Sequence, residues 1–510
     1  MDDKNTNLSE FEIMKIKKRV RISVVKIGLF QSGIPRVSVM RKSIQGLVKA
    51  TCLAGGMLSF SAQGEDLIEI YDLAFTNDPI FQSEFHEHEA SKEIYNQAKA
   101  ALLPTIKFDY SQTETSQDIV SSDNEVFSSG STSYPTTEMT LSLTQSIYSY
   151  SNWAYFKQAK EDVKRVASEL EDARQDLMMR TAENYFATLR EYDNYIAIKS
   201  EVISLEKHFE LVKQQREDGL ARVTDELDAQ ARYMQAKARE VEIRNAFKDA
   251  LQSLKEMTGE MPKSLVSLGF DLNLIEPNPI APEEWVEKSR DNNPMVLAKR
   301  LAAAVAWQEV RRQKGGHYPT LDFVFSQNAR ETEGSLFGGG SEVDTQDMML
   351  KLTVPIYAGG AVSSKVREAV ELHNKAQDEL KIEWRATERE TYAAFDGVVG
   401  SIAKVEALQR SVDAYELGVE AKRTAYESGL TSSLSVLDAE RDLFFARTEF
   451  FSARYDYLIN TLRLKRAAGL LSVTDLKQIN TMLLGQEQAF DVAIELLNKS
   501  GYRTSAQAVR

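Results

Sequence analysis

The chain has 510 residues, with 62 Lys and Arg against 76 Asp and Glu and a formal net charge of −14; its mean hydropathy is −0.36. That polarity excludes a polytopic helical membrane protein, and past residue 64 no run of about 18 apolar residues offers a membrane-spanning helix. Residues 1–64 hold 11 basic and 4 acidic side chains, leaving −21 for the remainder, which excludes a nucleic-acid binder that depends on a basic footprint.

Residues 1–64 read as an N-terminal extension and signal peptide. The signal itself begins at about residue 40, in "MRKSIQGLVKATCLAGGMLSFSAQG": Arg41 and Lys42 lead a short apolar stretch that ends in small residues. Cleavage after Ala62 or Gly64 fits, and either Met1 or Met40 could be the start. Cys52 is the only cysteine. The "KATC" around it lacks the aliphatic residue of a lipid-anchor cleavage box, so an exported mature chain would draw its rigidity from packed helices or a closed sheet rather than from disulfides.

From residue 65 the chain writes one unit twice. "NDP" at Asn77 answers "NNP" at Asn292, and "LPTIKFDYSQ" at Leu103 answers "YPTLDFVFSQ" at Tyr318. "LSLTQSIYS" at Leu141 answers "LKLTVPIYA" at Leu350, and "GLARVTDELDA" at Gly219 answers "GLTSSLSVLDA" at Gly429. Matched blocks in one order predict two copies of a unit of roughly 200 residues. The first spans 65–262 and the second 283–470. A proline-broken linker covers 263–282, and 471–510 is a C-terminal segment and tail, its last ten or so residues expected to be disordered.

Each unit is expected to contain a helix (about 79–101, and 283–313), a strand, a polar loop, a second strand and two long helices. The stretches Asn152 to about Arg216 and Val362 to about Glu427 lack proline, and at about 1.5 Å per residue each would run on the order of 100 Å. Val163, Val166, Leu170, Ala173 and Leu177 step as a coiled coil does, which by itself fits any structural rod. The strands argue otherwise. Ile106, Phe108 and Tyr110 alternate with Lys107, Asp109 and Ser111, and Met139, Leu141 and Leu143 alternate with Thr140, Ser142 and Thr144. Such alternation, at about ten residues per strand with polar loops between, suits a barrel with lipid outside and water inside. Four strands cannot close a barrel, and lipid does not tolerate an open edge. Copies must therefore combine; two would give eight strands with a filled interior, three would give twelve with a lumen.

The pieces "LPTIKFDY", "YPTLDF", "VPIYAGG", "YESGLTSSLSVLDAERDLFFA" and "ARYDYLINTLRLKRAAGLL" resemble the TolC family of outer-membrane channel proteins over about residues 65–480. The resemblance implies an α+β fold: a homotrimeric outer-membrane β-barrel, four strands per chain, continuous with a long periplasmic α-helical barrel girdled by an equatorial belt. It implies a passive exit duct for proteins (type I secretion) or small molecules. Its partners would be a periplasmic adaptor, an inner-membrane transporter and outer-membrane lipid. The missing lipid box leans toward the type I branch. The alternative is an exported coiled-coil structural protein or adhesin.

By the same resemblance the turns at Gly219-Leu220 and Gly429-Leu430 lie at the periplasmic tips and help dock the adaptor. Tyr426, Thr224, Asp225 and Asp438 match residues that draw the helices together and line the constriction. Two positions depart from the family: its arginine falls on Thr431 and one aspartate on Ser435. Asp225 and Asp228, three apart on one helical face, could substitute, giving nine carboxylates in a trimer that would attract cations. The competing reading of Asp225 and Asp228 is as acids favoured at a helix N-terminus. No catalytic motif, cofactor or metal is expected. His86 and His88 are two apart on a helix, pointing to different sides where a zinc pair would use i, i+4.

Overall fold

A computed structural model describes residues 65–120, 130–269, 272–335, 339–483 and 487–488. The expected signal segment, the "GGG" loop from Gly338 in part, and the expected disordered tail lie outside the described residues. In chain order the elements are α1 (Leu67–Asn77), α2 (Pro79–Ala100), β1 (Thr105–Ile119), β2 (Gly130–Tyr148), α3 (Tyr150–Glu217) and α4 (Val223–Thr258). There follow β3 (Leu265–Val266), α5 (Pro282–Asn292), α6 (Pro294–Lys314), β4 (Thr320–Thr332), β5 (Ser341–Thr353), α7 (Ala361–Glu427), α8 (Ser433–Ala467), α9 (Val473–Asn480) and β6 (Glu487–Gln488).

Where one helix was expected ahead of each hairpin, two occur. The "NDP" and "NNP" motifs are the breaks. Proline cannot donate within a helix but is suited to its first position, so Pro79 and Pro294 open new helices, capped by Asp78 and Asn293. Asp78 is 2% exposed. Its carboxylate accepts from the Phe81 amide at 2.9 Å and from both terminal nitrogens of Arg180 on α3, at 3.1 and 2.8 Å. A cap residue thus also ties the helical prelude to the long wall helix.

β1, β2, β4 and β5 form one antiparallel sheet in that order. Residues directly opposite one another share a face. Ile106 faces Leu143, Phe108 faces Leu141 and Tyr110 faces Met139; Leu143 faces Phe325; Phe325 faces Met348 and Phe323 faces Leu350. One face is therefore apolar across all four strands, and its outer members are exposed, Phe108 at 61% and Leu350 at 67%. The opposite face is polar: Asn328 donates to Glu138 and, at 2.9 Å, to the Thr140 hydroxyl. The strands have 15, 19, 13 and 13 residues, longer than the expected ten. Much of the sequence taken as polar loop stays in the ladder, because backbone pairing continues past Tyr110 to Ile119↔Gly130 after the apolar band has ended.

The long helices match expectation closely: α3 has 68 residues and α7 has 67, roughly 100 Å each. Near the sheet, α2, α3, α6 and α7 lie side by side, and toward the far ends α4 packs on α3 and α8 on α7. Gly315, just past α6, is fixed by close approach, since a Cβ there would lie 2.1 Å from Ser151 Oγ.

Halfway along, the shorter helices end and a core gathers. Leu177, Tyr185, Phe186 and Leu189 of α3 meet Phe247 and Leu254 of α4, Tyr455, Leu458 and Leu462 of α8, and Leu67, Ile70, Leu476 and Ile479 from α1 and α9. The segment between units is docked rather than loose. β3 pairs with β6, and the Tyr457 hydroxyl donates to the Ile275 carbonyl at 3.1 Å while accepting from its amide at 2.8 Å. Among the described residues, no helix is long and apolar enough to cross a membrane.

Candidate functional site

The far ends of the two helical pairs hold every docking and constriction residue singled out above. Both turns have one construction. In the first, the Gly219 amide donates to Arg216 O at 3.0 Å and the Leu220 amide to Gln215 O at 2.7 Å; in the second, Gly429 donates to Tyr426 O at 2.9 Å and Leu430 to Ala425 O at 2.8 Å. This double bond pattern ends a helix through a left-handed residue, and the glycines take φ of +75° and +72°. Such turns ordinarily fold the following apolar side chain back on the helix. Here Leu220 and Leu430 are 81% and 82% exposed, so each tip presents a bare leucine.

The departing helices are capped by opposite halves of one device. On α4 the Asp225 carboxylate accepts from the Arg222 amide at 3.2 Å; on α8 the Ser432 hydroxyl accepts from the Ser435 amide at 3.3 Å. A capping box uses both bonds, and each tip keeps one. Asp225 therefore serves as a first-turn acid, with the Thr224 hydroxyl donating to it at 3.5 Å. Tyr426 is 45% exposed on α7, and among the described residues no hydrogen bond within the chain joins it to Asp225.

Asp228 and Asp438 do come together. Arg232 of α4 sits between them, with Nε 3.2 Å from Asp228 and Nη1 3.2 Å from Asp438. Arg441 reaches Asp438 from its own helix at 3.4 Å and Asp442 at 3.0 Å. These groups edge a cleft of about 650 Å³ between the two helical pairs, further lined by Glu201, Arg239 and Phe445. The Arg239 guanidinium lies over the Phe445 ring, 5.9 Å from its centre. His208, on α3, is held below its usual range, first by burial and then by the charge of Arg232, with Asp228 and Asp438 opposing. Sequence reasoning followed the acids and missed the arginines. The i, i+4 spacing of Asp228 and Arg232 was the available signal; the pairing across to Asp438 had none.

Among the described residues no cluster of His, Cys, Asp and Glu could hold a metal ion. His86 and His88 both lie on α2.

Comparison with known proteins fits this architecture. The outer membrane efflux protein family matches residues 70–260 and 285–470. The chain is 28% identical over 446 residues to the outer membrane protein TolC of Vibrio cholerae, covering 87% of this chain and 99% of that one. It is 27% identical over 445 residues to the proteases secretion protein PrtF of Dickeya chrysanthemi, covering 86% and 95%. The fold resembles the CmeC outer membrane channel of Campylobacter jejuni, with a TM-score of 0.69, 17% identity and coverage of 83% and 90%. The chain belongs to the outer membrane efflux protein family, and it is an outer-membrane exit channel with a periplasmic helical part.

Proposed function

We propose that three copies of this chain close a twelve-stranded barrel in the outer membrane and carry its lumen inward through a helical tunnel. The observation that supports this most is the four-stranded sheet. Among the described residues its first and last strands, β1 and β5, each have one unpaired side, and each strand carries an apolar stretch on one shared face. Lipid tolerates neither an open edge nor an unsatisfied backbone, so β5 of one copy meets β1 of the next. The two similar units, 65–262 and 283–470, then supply alternating staves of a wall with nearly sixfold repetition. The segments 263–282 and 471–510 contribute to the belt around it.

Energy for export comes from elsewhere. The bare leucines beside Gly219 and Gly429 offer a periplasmic adaptor an apolar grip at each tip, and an inner-membrane transporter hands over cargo through that adaptor. Protein cargo is favoured over small molecules because relatives of nearly full coverage include secretion proteins for proteases. At the tips Tyr426, Thr224, Asp225, Asp228 and Asp438 border the narrowest part of the path.

Purified mature protein in detergent tests the assembly. A threefold mass by light scattering and discrete conductance in planar bilayers are expected; a stable water-soluble monomer would overturn the proposal and favour a rod or adhesin.

A further inference from the structure

Resting on the proposed barrel, we infer that a collar of lysine and arginine on the helices just beneath the sheet binds the anionic phospholipid headgroups of the periplasmic leaflet.

Charge is divided between the two ends of the sheet. The eleven residues nearest it on each of α2, α3, α6 and α7 (90–100, 150–160, 304–314 and 361–371) hold nine Lys or Arg against four Asp or Glu. The stretches past the apolar band at the opposite end, 111–138 and 326–347, hold one Arg against ten acids. In a chain of net charge −14, the helical margin of the sheet is thus the basic one. Lys92 and Arg312 pair with Glu89 and Glu309. The other seven bases have no carboxylate at ion-pair distance among the described residues.

These bases are ordered together with tryptophan. On α3, Trp153, Lys157 and Lys160 step by four and three, and on α6 Trp307, Arg311 and Lys314 do the same. That spacing keeps each trio on one helical face. The two faces adjoin: Arg311 donates from Nε to the Tyr150 hydroxyl of α3 at 3.2 Å, and Lys314 Nζ lies 5.8 Å from the centre of the Trp307 ring. Packing within the wall uses other faces, with Ala154, Ala159 and Val310 buried while Trp153 and Trp307 are 51% and 44% exposed.

The depth suits a headgroup. Tryptophan and tyrosine favour the level where hydrocarbon gives way to polar lipid, and Trp153 follows closely on Ile147 and Tyr148, exposed apolar residues at the end of β2. Lys314 is the last residue of α6, beside the sheet. Lys157 and Lys160 lie seven and ten residues beyond Tyr150, about 10 and 15 Å along the helix, and lysine stems snorkel back toward such a surface. An anionic leaflet favours each nearby cation roughly fivefold, an effect that fades beyond about 10 Å at 0.1 M salt. A lipid paired with one of these bases therefore gains several-fold if it carries net negative charge and nothing if it is zwitterionic.

Full mature protein in phosphatidylcholine nanodiscs tests this, with spin-labelled phosphatidylglycerol and spin-labelled phosphatidylcholine as probes. At low salt the wild type should hold the anionic probe several-fold more tightly than the zwitterionic one, and high salt should remove most of that preference. Lys157→Gln, Lys160→Gln and Lys314→Gln together should largely abolish it, whereas arginine at the same three positions should keep it. Lys207→Gln, Lys255→Gln and Lys422→Gln, which remove equal charge from exposed sites far from the sheet, should leave it unchanged. If the wild type shows no preference, or the first glutamine triple retains it, the collar is wrong while the barrel stands. A triple that keeps the preference but alters the ion selectivity of conductance puts the stripe on the lumen side and also overturns the inference. If the protein does not enter the discs at all, the barrel reading fails and the collar with it.

Discussion

The belt and the tips are made from the same helices in opposite surroundings. Around Phe186 the helices α1, α3, α4, α8 and α9 share a dry core; Phe186 is fully buried, stacked on Tyr455 at 5.6 Å and edge-on to Tyr185 at 5.6 Å. Burial raises the Tyr185 and Tyr455 hydroxyls well above the usual tyrosine range, so both stay neutral there. Around Asp438, contact between the helical pairs passes through arginines that water reaches. Apolar packing is strong, non-directional and slow to rearrange; exposed ion pairs are weak and exchange partners readily. The belt is held by the stronger kind of contact and the tips by the weaker.

The largest effect expected from breaking that contrast is in the belt. Phe186→Ala should destabilise the protein by about 3–5 kcal/mol, seen as an earlier denaturant midpoint of the detergent-solubilised channel. Asp78→Ala removes a helix cap and leaves Arg180 short of its buried partner, at a cost of about 3 kcal/mol in the same measurement. At the tips the scale falls. Gly219→Ala or Gly429→Ala forces a side chain into φ > 0 for about 1 kcal/mol, with faster hydrogen exchange in the last turns of α3 or α7 and none in the belt.

The smallest effect sharpens the comparison by pH. His208 is depressed in the folded chain, chiefly by burial and next by Arg232, from an ordinary value of 6.5. Exposing His208 therefore takes up a proton that the packed tip refuses. The tip packing is unaffected above the ordinary value and weakens as pH falls from it toward the depressed one. Protection factors at the tip, which correct exchange for its intrinsic dependence on pH, should fall between pH 7 and pH 5, and His208→Gln should flatten that response. Protection factors unchanged by pH in the wild type would detach His208 from the tip contacts.

The sequence carried the long elements well because their signals are local. Freedom from proline and a Ser149 cap mark α3, and period-two alternation marks the hairpins and even their shared face. What escaped it was set by distance along the chain. That "NDP" interrupts a helix is a local matter of proline chemistry, but that Asp78 then pairs with Arg180 depends on an approach across 102 residues. The buried Arg454, whose guanidinium lies against Phe450 and Phe451 and donates to Gly269 O, reads in sequence as an ordinary surface charge. The two turns and the acids beside them were legible as a set, because two tips repeat one motif. Their partners were not: which face of α4 turns toward α8 is decided by the belt packing far above them.

The sheet's two open margins have a genetic corollary. In the proposed trimer a subunit that cannot be finished without its neighbours also cannot fail alone: any copy with sound strands and a ruined tip would be taken into mixed rings and spoil companions that are themselves intact. Alleles damaged at the tips should behave as dominant in a cell that also makes the normal chain, whereas alleles that destroy β1 or β5 should be recessive, excluded before they can do harm.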